Sequence, residues 1–374
     1  MADQLRMAGM KNINQGKKIL IINPFGIGDV IFTTPIIESI KLEYPESYIG
    51  YLCNIRTAPI LFSNLNIDKV FIVERDEYRQ LWQVSKMKCI RRILNLVNEV
   101  KKERFDIALD FSMARDYGFF SMLAGIKKRI GYNYKNRGLF LTDKITLEGG
   151  YHDKHVIDYH KQFLALLDPA LPVNTNPKIY ISEEDNKKVQ QILRGEGISL
   201  NDKYICIMPG AGASWGRTAY RRRWPIERFA EVALRLAVEF KLKIVVLGSA
   251  DEKELCDYIK KKVPETVNLC GKLSLMVSIV VIKYANVLFT NDGGPLHMAV
   301  GVGTKTVSIF GPVDERVYGP YPASEKYCII KDKSLSCAPC YNSFKLPECN
   351  DLKCLNNITV DEAIEALERI RWKE

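Results

Sequence analysis

The spacing of apolar and polar residues along this chain switches repeatedly between two periods. Short apolar runs at Lys18 to Asn23, Tyr48 to Cys53, Val70 to Val73 and Ile107 to Phe111 predict strands. Between and after them, three- and four-residue spacing predicts helices over Asp29 to Tyr44, Lys86 to Arg104, Tyr117 to Ala124 and His155 to Leu167. A passage holding Pro169, Pro172 and Pro177, with Asn174, Thr175 and Asn176, reads as a connection. A second alternating set follows. Its predicted strands are Tyr204 to Met208, Lys243 to Leu247, Val287 to Thr290 and Thr306 to Phe310, and its helices are Ile226 to Phe240, Glu252 to Lys261, one starting near Leu296, and Val360 to Trp372. Strands alternating with helices imply parallel sheets with helices on both faces. The expected organisation is a polar tail over 1–16, one doubly wound domain over 17–175, a second over 176–358, and a terminal helix over 359–374. In folds of this type ligands bind where strand ends meet a crevice.

Three strand-to-helix corners carry candidate chemistry. In the corner Thr290 to His297 the sequence Asn291-Asp292-Gly293-Gly294-Pro295 leads into a helix, where free N–H groups and the helix dipole can hold a phosphate. Asp292 could equally cap that helix. The corner Phe25-Gly26-Ile27-Gly28-Asp29 lacks the third glycine of a dinucleotide fingerprint, since Ile31 stands there, and the following strand ends Leu52-Cys53-Asn54 without an acid. A nicotinamide oxidoreductase is therefore disfavoured, and Asp29 is left as either a helix cap or a carboxylate at the crevice mouth. The corner Pro209 to Trp215 is followed by Arg217, Arg221, Arg222 and Arg223, four cations suited to a diphosphate or to a solvated basic loop.

Composition narrows the partners. With 374 residues, 47% of them hydrophobic, the chain can bury two cores. No run approaches the roughly 20 apolar residues of a membrane span, and the start of the chain has no signal-peptide core, so a cytoplasmic location is expected. A net charge of +10 favours acidic partners such as anionic lipid or phosphorylated substrates. Nucleic acid is the weakest of these, because no RNA-binding aromatic signature, zinc finger or basic tail is present. In the basic helix Lys86 to Arg104 a stripe of Met87, Ile90, Leu94 and Val97 is expected to pack on the sheet, with a membrane-surface role as the alternative.

The chain has ten cysteines, of which six are scattered like core residues. Cys337, Cys340, Cys349 and Cys354 form two close pairs that could hold a structural zinc or iron, or remain free thiols. His152, His155 and His160 fall in a polar linker and helix without a clear ligand set and read as structural.

The segment Asn23 to Thr34 with its Gly-x-Gly-Asp, the Pro209-Gly210-Ala211 loop leading to Arg222-Arg223-Trp224-Pro225 and Arg228-Phe229-Ala230, Leu247-Gly248 with Glu252, Asn291 to His297, and Phe310-Gly311-Pro312 occur in one order. Together they resemble the family 9 glycosyltransferases, the ADP-heptose:lipopolysaccharide heptosyltransferases and their relatives. The resemblance runs from about Lys17 to the C-terminal helix. It implies a GT-B fold, two Rossmann-like domains facing across a central cleft, with the acceptor mainly on the first and the nucleotide sugar on the second. It also implies an inverting single displacement that needs one base and cationic support for the leaving diphosphate, and no cofactor.

By that resemblance Asp29 is the catalytic base and Gly26 and Gly28 form the acceptor-side loop. Gly210, Arg222, Glu252, Asp292, Gly293, Gly294 and His297 surround the donor, with Glu252 near its ribose. Arg222 replaces a usual lysine and Gly293 a usual threonine. The implied partners are ADP-heptose, a phosphorylated lipid-linked glycan acceptor and the inner face of an anionic membrane. The cysteine cluster matches one present in some relatives. Other readings are a transferase using another nucleotide sugar or a protein acceptor, and a non-catalytic, metal-braced binding protein.

Overall fold

The computed structural model describes residues 16–174, 176–199 and 202–371, apart from the side chains of residues 213–215, 217 and 371. The chain forms two compact units, one of residues 16–151 and 156–174, the other of residues 152–155 and 176–371.

The first unit is built on β1 (Lys18–Asn23), β2 (Tyr48–Cys53), β3 (Lys69–Ile72), β4 (Ile107–Asp110), β5 (Lys128–Tyr134) and β6 (Asp143–Leu147). They form a parallel sheet in the order β3-β2-β1-β4-β5-β6. Its helices are α1 (Ile27–Glu43), α2 (Arg75–Val84), α3 (Lys86–Glu103), α4 (Arg115–Leu123) and α5 (Val156–Leu167). Both faces of β1 are buried, which explains its unbroken Ile19-Leu20-Ile21-Ile22 run. Leu20, Ile22, Leu52, Phe71, Leu96, Val97, Val100 and Phe120 join one core beneath α3 and α4.

The basic helix forms as expected, but its apolar stripe faces the other way. Ser85 caps α3 by accepting from Lys88 N–H, and Arg104, at φ 57°, ends it in the left-handed region. The residues that pack inward are Cys89, Leu96, Val97 and Val100, whereas Met87, Ile90 and Leu94 are exposed. Of the expected stripe, only Val97 reaches the core. The helix carries a second apolar strip beside the one that the sheet uses.

The second unit begins with α6 (Glu183–Gly195) and contains β7 (Tyr204–Met208), α7 (Ile226–Val238), β8 (Lys243–Val246), α8 (Lys253–Lys262) and β9 (Val267–Asn268). After these come α9 (Leu275–Tyr284), β10 (Val287–Asn291), α10 (Gly294–Val302), β11 (Lys305–Ile309), β12 (Tyr327–Ile330) and α11 (Val360–Arg371). The parallel order is β12-β11-β10-β7-β8-β9. Trp224, Phe229 and Phe289 meet edge-on or tilted with ring centroids 4.9–5.9 Å apart at the centre of its core. Trp224 also donates its indole N–H to the Ile358 carbonyl at 3.1 Å, tying the approach to α11 down onto the sheet.

Each sheet has one place where successive connections leave in opposite directions: between β1 and β4 in the first unit, and between β7 and β10 in the second. Open α/β sheets bind ligands at such points.

Candidate active site

In the first unit the loop after β1 sits at that point. Asn23 ends the strand and organises the turn: its amide donates to the Asp29 carbonyl at 2.9 Å and its Oδ1 accepts from Phe25 N–H at 3.3 Å. Asp29 lies in the first turn of α1 and its Oδ2 accepts from Gly26 N–H at 3.1 Å. Its carboxylate therefore caps the helix, and the residue is half-buried. Gly26 and Gly28 flank it with partial exposure.

Beside it, at the end of β4, Asp110 is buried and accepts from Ser112 N–H at 2.8 Å. Burial pushes its carboxyl up to about 6, against the hydrogen bonds from Ser112. No feature of the local sequence marked this acid, because an Asp after an apolar run also reads as an ordinary strand end.

The second unit gathers Gly210, Arg222, Glu252, Asp292, Gly293, Gly294 and His297 around the ends of β7, β8 and β10. Glu252 is buried and links two loops. Its Oε1 accepts from Gly212 N–H at 3.2 Å, and its Oε2 accepts from Ser249 N–H at 2.9 Å and Ser249 Oγ–H at 3.0 Å. Arg223 Nη2 lies 3.9 Å from Oε1. Gly210 is required by this clasp, since a Cβ there would stand 1.8 Å from Glu252 Oε1.

Arg222 donates through Nη2 to Asp292 Oδ2 in a buried ion pair. Burial raises the Asp292 carboxyl above its usual range, and the guanidinium opposes this. Asp292 Oδ1 and Arg223 Nε are buried and have no hydrogen-bond partner among the described residues. Buried polar atoms are nearly always satisfied, so two such orphans beside one loop fit a polar ligand.

Asn291 holds this region together, a role that its place in the motif did not reveal. Its amide donates to the Pro209 carbonyl at 2.8 Å and its Oδ1 accepts from Trp224 N–H at 2.9 Å. One side chain thereby fixes the end of β10, the loop after β7 and the Arg222-Arg223 segment relative to one another. Gly293, at φ 153°, brings the backbone against Ala211, where a Cβ would meet the Ala211 carbonyl oxygen at 3.0 Å. Gly294 then opens α10, whose N-terminus has no side-chain cap.

His297 is buried one turn into α10. Burial first, then the nearby His155 and Arg222, hold its imidazole down to about 3. It is therefore neutral near pH 7. His155 belongs to the 152–155 excursion of the chain, stacks on Tyr321 at 4.4 Å and donates from Nε2 to the Gly319 carbonyl at 3.0 Å. His160 bonds Tyr132 Oη through Nδ1 at 2.9 Å, and His152 pairs with Asp153 at 2.8 Å. Each of the three thus has its own protein partner.

The four late cysteines do not assemble a ligand set. All ten cysteines are free thiols, and no group of three or more His, Cys, Asp or Glu able to hold a metal occurs among the described residues. Cys337, Cys340, Cys349 and Cys354 are near enough for their charges to interact, yet each faces its own surroundings. Cys337 is exposed and Cys340 N–H donates to the Pro312 carbonyl at 2.9 Å. The Cys349 thiol receives backbone N–H groups of Leu352 and Asp351, which lower its pKa, while Cys354 packs against the core of the second unit. Of the two readings of this cluster, the structural zinc or iron has no support from this arrangement. Of the four arginines before Trp224, Arg217 has a side chain outside the described residues, and Arg221 turns away to the Pro347 carbonyl at 3.0 Å.

The model of glycosyltransferase family 9 (heptosyltransferase) matches residues 93–348. Lipooligosaccharide heptosyltransferase 2 of Campylobacter jejuni is 25% identical over 353 residues, covering 93% of this chain and 96% of its own length. Among solved structures, the family 9 glycosyltransferase of Veillonella parvula superposes with a TM-score of 0.78 at 23% identity, covering 96% of this chain and 98% of its own. The E. coli heptosyltransferase WaaC with ADP gives 0.72 at 16% identity, covering 94% and 99%. Two parallel six-stranded sheets with flanking helices are the GT-B architecture, and the chain belongs to glycosyltransferase family 9, the heptosyltransferase family.

Proposed function

We propose that this glycosyltransferase moves a heptose from ADP-heptose to a hydroxyl of a lipopolysaccharide-core acceptor with inversion at the anomeric carbon. The acceptor carries phosphate and is lipid-linked, so the enzyme works at a membrane surface. The first unit holds the acceptor and the second the nucleotide sugar.

In this reading Asp29 takes the proton of the acceptor hydroxyl while its oxygen attacks the anomeric carbon. The bond from that carbon to the diphosphate breaks, and ADP departs with the electron pair. Charge grows on the diphosphate as it leaves, and groups already aimed at it lower the barrier. Arg223 and the first N–H groups of α10 are suited to that task. The Arg222 charge is shared with Asp292, so it contributes less than a free cation would. Neutral His297 suits a sugar hydroxyl or a phosphate oxygen as a hydrogen-bond donor. Both Glu252 oxygens already accept protein donors, which makes Glu252 a holder of the loops around the nucleoside and leaves only spare lone pairs for a ribose hydroxyl.

The observation that supports this reading most is the pair of unmet buried atoms, Asp292 Oδ1 and Arg223 Nε, beside the N-terminus of α10. The test is calorimetry with ADP, ADP-heptose, UDP, GDP, CMP and NAD, followed by transfer to truncated lipopolysaccharide acceptors. Selective binding of ADP and ADP-heptose is expected; preference for another nucleotide replaces the donor, and preference for NAD removes the transferase reading. Asp29→Asn should lose at least about a hundredfold in turnover with donor affinity nearly unchanged. Comparable turnover by that variant excludes Asp29 as the base.

A further inference from the structure

Helices α2 and α3 form a hairpin whose outer surface is the reverse of what a solvated helix pair presents. α2 has no buried residue, and the turn between the helices exposes Val84 and Met87 at 79% each. Trp82 is 50% exposed, Leu94 48% and Ile90 45%, so the apolar strip continues from the turn along α3. The core does not need these side chains, because Leu96, Val97 and Val100 already cover the sheet and Cys89 is buried against α2.

The stretch of chain that carries the strip has charge of one sign. From Leu81 to Asn98 the chain carries Lys86, Lys88, Arg91 and Arg92 and no acidic residue. Arg92 pairs with Glu77 at 3.2 Å, while Lys86, Lys88 and Arg91 have no acidic partner among the described residues. Lys86 Nζ lies 5.6 Å from the Trp82 ring centroid, placing an ammonium and an indole together at the turn. A protruding apolar strip, a tryptophan at its edge and unpaired cations beside it are the features of a helix that lies in a bilayer interface, with its apolar face among acyl chains and its cations among headgroups.

We propose that the α2–α3 hairpin is the surface by which this protein docks on anionic phospholipid bilayers. Met87, Ile90, Leu94 and Val84 enter the headgroup–acyl boundary, Trp82 sits at the headgroup level, and Lys86, Lys88 and Arg91 meet lipid phosphates. The inference deepens the proposal of a lipid-linked acceptor and rests on that reading only for its purpose, since docking needs neither donor nor acceptor.

Flotation of the full chain with vesicles of phosphatidylcholine alone and of phosphatidylcholine with phosphatidylglycerol tests it. Binding should favour the anionic vesicles by roughly tenfold or more and fall when salt rises from about 0.1 M to about 1 M, where the screening length shrinks from about 10 Å to about 3 Å. Met87→Ser/Ile90→Ser/Leu94→Ser should abolish binding, and Lys86→Gln/Lys88→Gln/Arg91→Gln should remove the preference for anionic lipid. Both variants alter exposed positions, and an unchanged thermal midpoint confirms that they fold. Trp82 emission should shift to the blue on anionic vesicles, with the shift absent in Trp82→Phe.

No flotation of the wild type, or equal flotation of the serine variant, overturns the proposal. So does a dimer in solution that the serine variant dissolves, with no lipid binding, which would make the strip a contact between two copies. ADP affinity, measured alongside in every variant, is expected to stay constant. Its loss in the wild type would count against the transferase reading and leave the docking result standing.

Discussion

Arg222 and Asp292 form an ion pair in which both side chains are less than a tenth exposed, joining the segment after β7 to the end of β10. Breaking a buried pair by removing one partner leaves an uncompensated charge and costs about 3–5 kcal/mol. Arg222→Ala should therefore lower the thermal midpoint and weaken ADP binding together. Arg222→Ala combined with Asp292→Asn should recover much of the stability but little of the ADP affinity, because the positive charge is still missing. Calorimetry and thermal denaturation of the single and double variants separate the two effects.

Gly210 and Glu252 are matched by shape. A methyl group at residue 210 has no room against Glu252 Oε1, so Gly210→Ala should cost about 1–3 kcal/mol through displacement of the clasp. In a Glu252→Ala background the same change should cost less than half as much, since the atom it strikes is gone. Equal costs in the two backgrounds, measured by urea denaturation, would show that the clasp is not what Gly210 protects.

His297 should make the fold acid-sensitive. Its pKa is about 3 in the folded chain against an ordinary 6.5, so between those values the unfolded chain binds more protons and stability falls as the pH falls. The contribution is complete above about pH 6.5 and is lost progressively toward pH 3, with a slope of at most about 1.4 kcal/mol per pH unit. Asp110 acts in the opposite sense between about pH 4 and 6, because its raised carboxyl pKa favours the fold at low pH. The comparison must therefore be wild type against His297→Gln. The variant should have a lower stability at pH 7 and a shallower loss between pH 6 and pH 4.

The central strands were legible because burial on both faces leaves an unbroken apolar run, as in β1 and β7. Strands β5 and β6 were not: Lys128-Arg129-Ile130-Gly131-Tyr132-Asn133-Tyr134 and Asp143-Lys144-Ile145-Thr146-Leu147 lie toward one edge, where half the side chains meet water. The two-residue β9 is too short to leave any period. Helix α9 was missed for a different reason, as its run Leu275 to Ile282 is apolar all round and carries no helical stripe. At the candidate site, residue types and order marked corners where Gly293 is demanded by its backbone angle, Gly210 by the Glu252 carboxylate against it, and Asp292 is paired with Arg222. Pairings such as Arg222 with Asp292 and Asn291 with Pro209 span about 70 to 82 positions of the chain, and no local pattern encodes them. The second apolar strip of α3 was visible as hydrophobic spacing, but spacing alone does not tell which of two neighbouring strips the sheet will cover.

The chain reaches its second unit briefly at residues 152–155, returns to the first, and crosses again after residue 174. That excursion supplies His155, whose ring covers Tyr321 and holds the Gly319 carbonyl, and which also sets part of the environment of His297. A fragment beginning at Asn176 therefore lacks a piece of its own interior, and a fragment ending before it carries a splint with nothing to brace. Recombination at a single point between the halves separates His155 from Tyr321 and Gly319, its partners. The second unit is thus completed by a stretch of chain embedded in the first and is not an exchangeable cassette.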